Sequence, residues 1–271
     1  MAWLYLDGRI MDEKRARIPA TDPALAWGVG VFEVARGYNQ RAFQLDAHLD
    51  RLRRSAEHFG IRARLPPLDG VVHRLFVRNG LSGGYTRITL TGGGHLVVVT
   101  QRWKALPRKV YRQGAALAIA PFRRDPAAPL AGHKTLNYLE NMKTRWEAEE
   151  EGVLDALVLG LRGDVLEGTR CNVFMVEKGR LLTPPLAQGI LPGVTRKVVL
   201  DLARRQGWPV AERRLRLSRL CAAQEVFVTS TMMEIVPIVR IGEHDLPGPG
   251  PVARSLLAAY HEKVREECGT R

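Results

Sequence analysis

Apolar residues recur along this chain with two periods, and the points where one period yields to the other outline its elements. Residues 3–19 read as a short strand pair around Asp7-Gly8, a hairpin-turn dipeptide. A glycine-rich stretch, Trp27-Gly28-Val29-Gly30-Val31-Phe32-Glu33-Val34-Ala35-Arg36, leads into another strand. Leu49, Leu52, Ala56 and Phe59 then return at helical spacing, which predicts an amphipathic helix over 46–60 with Arg51 off its apolar stripe. A second helix over 67–79 precedes strands at 85–91 and 96–101, divided by Gly92-Gly93-Gly94.

The span Arg123-Arg124-Asp125-Pro126-Ala127-Ala128-Pro129 is polar, proline-bearing and without an apolar period. It reads as a linker over 123–130 between an N-terminal domain, 1–122, and a C-terminal domain, 131–271. Beyond it the pattern predicts a helix over 137–151, with Tyr138, Met142 and Trp146 each four apart. A continuous apolar strand at 153–160 and a turn at Arg162-Gly163-Asp164 follow. Strands at 172–176 and 181–182 pair around Glu177-Lys178-Gly179, and a helix opens at Leu191-Pro192-Gly193-Val194-Thr195-Arg196 and runs to Gly207. Strands at 209–217, 225–229 and 235–241, then a last helix from Pro251, complete the chain. Helices and strands mix in both halves without regular βαβ alternation, so the class is α+β (mixed α/β).

Composition narrows the setting. Of 271 residues, 45% are hydrophobic, and no apolar run is long enough to span a bilayer. The first residues lack the basic and long apolar regions of a signal peptide. Cys171, Cys221 and Cys268 are widely spaced, which argues against both a disulfide scaffold and a cysteine zinc site. The expectation is a cytoplasmic protein with no membrane partner and no metal. The net charge of +13 raises nucleic-acid binding as a competing reading. However, the excess is spread along the chain. Its densest cluster, Arg213-Arg214-Leu215-Arg216-Leu217-Ser218-Arg219, alternates like a half-exposed strand, and no nucleic-acid motif accompanies it. A positive potential also suits anionic substrates and a phosphorylated cofactor.

The chemistry concentrates in two places. Lys134 stands in His133-Lys134-Thr135-Leu136-Asn137-Tyr138, and 33 residues later comes Glu167-Gly168-Thr169-Arg170-Cys171-Asn172-Val173-Phe174. An amine to condense with an aldehyde, and a carboxylate to keep a pyridine nitrogen protonated, are what pyridoxal 5'-phosphate (PLP) chemistry requires. Anion-binding turns are present as well. Leu191-Pro192-Gly193-Val194-Thr195-Arg196 opens a helix whose first amides and Thr195 hydroxyl are available to a phosphate. Thr229-Ser230-Thr231 ends a strand, and Arg51 offers a guanidinium. Taken singly, each has an ordinary alternative: a surface lysine, a turn glutamate, a helix cap.

In order, His48-Leu49-Asp50-Arg51-Leu52, the Lys134 and Glu167 segments, Leu191 to Arg196, and Thr231 with Glu234-Ile235-Val236-Pro237 resemble the fold-type IV PLP enzymes. These are the branched-chain and D-amino-acid aminotransferases and aminodeoxychorismate lyase. The resemblance implies a two-domain fold, with a small α+β N-terminal domain and a C-terminal pseudo-β-barrel, usually as a homodimer. By the same resemblance Lys134 would be the Schiff-base lysine and proton shuttle, and Glu167 the partner of the pyridine nitrogen. Arg51, Val194, Thr195 and Thr231 would hold the phosphate, with Tyr138 near the cofactor's phenolic oxygen. Phe32, Tyr85, Arg87, Arg170 and Met232 would line the substrate side, Tyr85-Thr86-Arg87 resembling the Tyr-x-Arg that holds a carboxylate in branched-chain enzymes. Gly92 replaces the arginine, and Phe32 the tyrosine, usual in D-amino-acid enzymes; Thr169-Arg170 and Val34 depart from the branched-chain pattern. The expected activity is ping-pong transamination between an L-amino acid with an apolar side chain and a 2-oxo acid. The alternatives are aminodeoxychorismate lyase, releasing 4-aminobenzoate and pyruvate, and D-amino-acid aminotransferase.

Overall fold

The computed structural model describes residues 2–62 and 65–269, in two compact units. One comprises Met1–Ala105, His133–Tyr138 and Lys263–Arg271, the other Leu106–Gly132 and Leu139–Glu262. The chain therefore first passes between units at Ala105–Leu106. The expected linker at 123–130 instead begins inside a strand of the second unit.

The first unit contains β1 (Trp3–Leu6), β2 (Arg9–Asp12), α1 (Pro23–Trp27), β3 (Gly30–Tyr38), β4 (Arg41–Ala42), α2 (Leu45–His58), α3 (Asp69–Arg78), β5 (Gly84–Thr91) and β6 (Leu96–Gln101). The strands form one sheet in the order β2-β1-β6-β5-β3-β4. Asp7 and Gly8 both have positive φ (47° and 97°), as a two-residue hairpin that follows the strand twist requires. Register divides the side chains of β3 and β5 between two faces. Val31, Glu33 and Ala35 lie opposite Leu90, Ile88 and Thr86 on one face, while Phe32, Val34 and Arg36 lie opposite Thr89, Arg87 and Tyr85 on the other. Leu49, Leu52, Ala56, Val72, Leu75 and Phe76 from α2 and α3 join Val31, Ala35, Ile88 and Leu90 in the core. Arg51 is not off the buried stripe, as its charge suggested. It is 4% exposed because Glu33, itself 1% exposed, meets its Nε and Nη2 at 2.6 and 2.8 Å, and His48 Nδ1 lies 2.7 Å from the same carboxylate.

This buried triad makes the fold sensitive to acid. Burial pushes the Glu33 pKa up, yet the charge and hydrogen bonds of Arg51, with help from His48, hold it at about 2 instead of 4.5. Burial lowers His48 below 6.5 despite the pull of Glu33, so at neutral pH its Nδ1–H donates to an ionised carboxylate. Both pKa values are depressed in the fold. Their contribution is thus complete above the unfolded values and is lost as pH falls, first below 6.5 and then between 4.5 and about 2. The melting temperature is expected to follow that course. A midpoint that stays flat between pH 4.5 and about 2 would contradict an ionised Glu33 in this core.

The second unit holds α4 (Arg108–Gln113), β7 (Ala115–Arg124), α5 (Leu139–Glu150), β8 (Asp155–Gly160), β9 (Asp164–Gly168), β10 (Asn172–Glu177), β11 (Arg180–Thr183), α6 (Val194–Arg205), β12 (Val210–Glu212), β13 (Leu215–Arg216), α7 (Leu217–Cys221), β14 (Glu225–Ser230), β15 (Glu234–Ile241), β16 (His244–Asp245) and α8 (Pro251–Cys268), the end of α8 belonging to the first unit. Its sheet runs β12-β11-β10-β14-β15-β7-β8-β9-β13, with β16 beside β15. The single strand expected at 209–217 is two strands at opposite ends of that order. A flat sheet would separate them by about 38 Å, at roughly 4.8 Å per strand. The residues between them, Arg213 and Arg214, allow a span of only about 10 Å. The sheet therefore curls until its ends approach, which is the pseudo-barrel.

Strand β7, which the pattern missed, is alanine-rich and pairs in parallel with both β8 and β15; Arg123 and Arg124 lie opposite Leu159 and Gly160. On α5 the buried side chains are Thr144 and Ala148, not the Tyr138-Met142-Trp146 row, and Trp146 is 49% exposed.

Candidate active site

In the first unit, Lys134 is held as if on an extra strand beside β3. Phe32 N–H donates to the Lys134 carbonyl at 2.9 Å, Leu136 N–H donates to Gly30 at 2.9 Å, and Val31 bridges Thr135. Strand alternation then brings Lys134 Nζ to 4.4 Å from the Phe32 ring centroid and 4.9 Å from that of Tyr138. The two rings meet edge to face at 5.3 Å. Arg87, from the neighbouring strand, places Cζ 3.9 Å from the Phe32 centroid. Partial burial lowers the Arg87 pKa, against the pull of Tyr85 and Tyr138. Among the described residues, neither Lys134 nor Arg87 pairs with a carboxylate. A half-buried amine and guanidinium flanking one aromatic ring form a site for an anionic, planar ligand. The Tyr85 hydroxyl donates to Gln101.

The second unit holds the other expected residues. Glu167, at the end of β9, is clamped: Arg124 Nη1 donates at 3.0 Å, Leu191 N–H at 3.0 Å and Asn172 Nδ2 at 3.2 Å. The same Asn172 amide also donates to the Leu191 carbonyl at 3.0 Å. Next to it, a Cβ at Gly193 would lie 2.0 Å from Asn172 Oδ1, so only glycine permits this approach of α6. The turn after Glu167 is pinned by Asp155, which is fully buried and accepts hydrogen bonds from Thr169 Oγ1, Arg170 N–H and Cys171 Sγ. Arg170 turns back onto its own unit, donating from Nη2 to Leu154 O at 2.8 Å. That geometry gives no support to the substrate contact expected of it.

Val194 and Thr195 occupy the first turn of α6, whose N-cap, Gly193, provides no side-chain cap. Asn172 faces Thr229 across β10 and β14, and the Thr229 hydroxyl is buried without a hydrogen-bond partner among the described residues. Uncapped helix amides and an unsatisfied hydroxyl on a neighbouring strand suit an anion such as a phosphate. Thr231 and Met232 lie in the turn between β14 and β15, where Met233 N–H donates to Ser230 Oγ at 3.2 Å.

Phe32, Arg51, Tyr85, Arg87, Lys134 and Tyr138 thus belong to one unit, and Glu167, Arg170, Val194, Thr195, Thr231 and Met232 to the other. Sequence reasoning missed Arg124, Asn172, Glu33, His48 and Asp155. Asn172 stood in a quoted motif, three residues after Thr169, but nothing in a linear pattern marks Arg124 as a partner of Glu167 43 residues away.

Residues 30–241 match the family described as amino-transferase class IV. The chain belongs to this family. Class IV aminotransferases depend on PLP, and the donors present fit that group: an amine without a carboxylate partner among the described residues, a clamped glutamate and an uncapped helix start. A Methanocaldococcus jannaschii protein provisionally named a branched-chain-amino-acid aminotransferase is 37% identical over 252 residues, covering 88% of this chain and 87% of its own. The aminodeoxychorismate lyase of Bacillus subtilis is 29% identical, over 96% of this chain and 94% of that protein. A crystal structure of a branched-chain aminotransferase from Thermoproteus uzoniensis with norvaline matches with a TM-score of 0.89 at 29% identity, covering 99% and 97% of the two chains. As a class IV aminotransferase the chain therefore has the mixed α/β fold expected of it. Among the described residues, no helix is long and apolar enough to cross a membrane.

Proposed function

We propose that this class IV aminotransferase transfers the amino group of an L-amino acid with an apolar side chain to a 2-oxo acid, in ping-pong fashion and as a homodimer. The observation that carries the reading is Lys134, its amine held between the Phe32 and Tyr138 rings with no carboxylate among the described residues to occupy it. PLP, when bound, supplies an aldehyde for that amine and a ring that withdraws electrons from the reacting carbon. Lys134 then carries a proton from the substrate's α-carbon and returns one on the opposite half-reaction. Phe32 and Tyr138 screen its Nζ from water. Glu167, with both oxygens engaged, stays an acceptor toward the pyridine N–H. Arg51, Val194, Thr195 and Thr231 hold the phosphate, and Tyr138 the phenolic oxygen. Arg87 takes the substrate carboxylate, beside Phe32, Tyr85 and Met232.

A D-amino-acid reading requires an arginine where this chain has Gly92. A Cβ there would lie 2.9 Å from the Val29 carbonyl oxygen and 2.8 Å from its Cγ1, so the position is closed to any side chain unless the backbone moves. The lyase reading keeps every residue named above, and only turnover separates it.

The first experiment adds L- and D-amino acids singly to the PLP-loaded protein, without acceptor, and follows its visible absorbance. Bleaching by an apolar L-amino acid supports the reading. Bleaching only by D-amino acids, or by none while 4-aminobenzoate is formed from aminodeoxychorismate, would replace it. Arg87→Ala is expected to raise KM for the amino donor by about 10- to 100-fold, the loss of one charge-assisted hydrogen bond. An unchanged KM removes Arg87 from the substrate site.

A further inference from the structure

We propose that Glu33 is a positioning residue, fixing the guanidinium of Arg51 for the cofactor's phosphate while His48 braces Glu33 from the same helix. The inference rests on the reading above that this chain binds PLP. Arg51 meets Glu33 through two nearly parallel hydrogen bonds, 2.6 and 2.8 Å long, so the plane of the guanidinium is set by the carboxylate. The carboxylate in turn cannot rotate, because His48 Nδ1 holds Oε2 at 2.7 Å. All three side chains are nearly excluded from solvent. A buried ion pair of this kind is seldom better for stability than apolar residues of the same volume, so stability alone does not account for it.

The placement of Glu33 on β3 explains what the triad achieves. Its neighbour Phe32 projects to the opposite face of the strand, beside Lys134, and the backbone of Phe32 anchors the Lys134 segment. Two consecutive residues of one strand thus set the positions of both Lys134 and Arg51. Any shift of β3 moves both together, which preserves the spacing between the amine and the guanidinium.

A simpler role for Glu33, to neutralise a buried arginine, predicts the opposite sign. Removing a mere counter-charge leaves Arg51 more attractive to an anion, whereas removing a positioning group costs phosphate affinity. Full-length protein freed of cofactor is titrated with PLP and with pyridoxal, which lacks the phosphate, and inorganic phosphate is used as competitor. If wild type develops no visible band with either, the PLP reading fails, and this inference with it. Given the band, Glu33→Asp and Glu33→Gln are each expected to weaken PLP binding by at least about tenfold, leave pyridoxal within about twofold and blunt competition by phosphate. Tighter PLP binding by Glu33→Gln with Glu33→Asp unchanged would establish a counter-charge and overturn the proposal. Should the glutamine variant not fold, by circular dichroism, Glu33→Asp and His48→Leu decide. The latter keeps the Arg51 pair and should lose a smaller part of the PLP-to-pyridoxal preference. Equal losses for both compounds would indicate a purely structural role and likewise overturn it.

Discussion

Lys134→Ala is expected to abolish transamination, with turnover falling by about 10⁴-fold or more, because in the proposed role one amine provides both the covalent anchor and the proton carrier. The surroundings of Lys134 make the test clean. Its carbonyl, not its side chain, ties the segment to β3, through the 2.9 Å bond from Phe32 N–H. Its amine touches only the faces of Phe32 and Tyr138 among the contacts described. Truncation should therefore leave the fold and the melting temperature nearly intact while removing the visible band of lysine-bound cofactor. Rapid-quench turnover and an absorbance spectrum on the same sample are sufficient. A variant that keeps the band, or more than one per cent of turnover, would disprove the assignment of Lys134.

Glu167→Gln is expected to retain cofactor yet turn over about 100-fold more slowly, with little change in KM. The clamp explains why so small a change matters. Arg124, Leu191 N–H and Asn172 all donate to this carboxylate, so its environment is built for an acceptor at both oxygens. An amide turns one acceptor into a donor facing other donors, and in the proposed role it gives up the charge that would keep the pyridine nitrogen protonated. Losing a charge-assisted hydrogen bond costs about 1.5–3 kcal/mol, or roughly 10- to 150-fold in rate. The decisive comparison is the α-proton isotope effect on turnover. It should rise in the variant as proton abstraction becomes limiting. Wild-type rates and an unchanged isotope effect would separate Glu167 from the pyridine nitrogen.

Much of this protein was legible along the chain because its information is local. The Asp7-Gly8 hairpin, the apolar stripe of α2, the strands flanking Gly92-Gly93-Gly94 and the opening of α6 at Gly193-Val194 follow from turn chemistry and periodicity over a few residues. The Lys134 and Glu167 segments were readable for the same reason, as short runs in a fixed order that carry the family resemblance. Elements that depend on distant partners were not. Strand β7 lacks β-branched density and exists because β8 and β15 flank it in parallel; the run at 209–217 divides because its two parts pair with opposite ends of a curled sheet.

The same distinction runs through the candidate active-site residues. By itself the sequence determined which chemical groups are present, the elements that carry them and the family they belong to, since these depend on residue identity and near-neighbour spacing. Only the tertiary structure decided the state of those groups. It buried Arg51 against Glu33 and His48, clamped Glu167 with Arg124 from a strand 43 residues earlier, turned Arg170 back onto Leu154 and closed position 92 against the Val29 carbonyl. Charge pairing, burial and steric room are set by whichever side chains the fold brings within a few ångströms, and separation along the chain does not encode that.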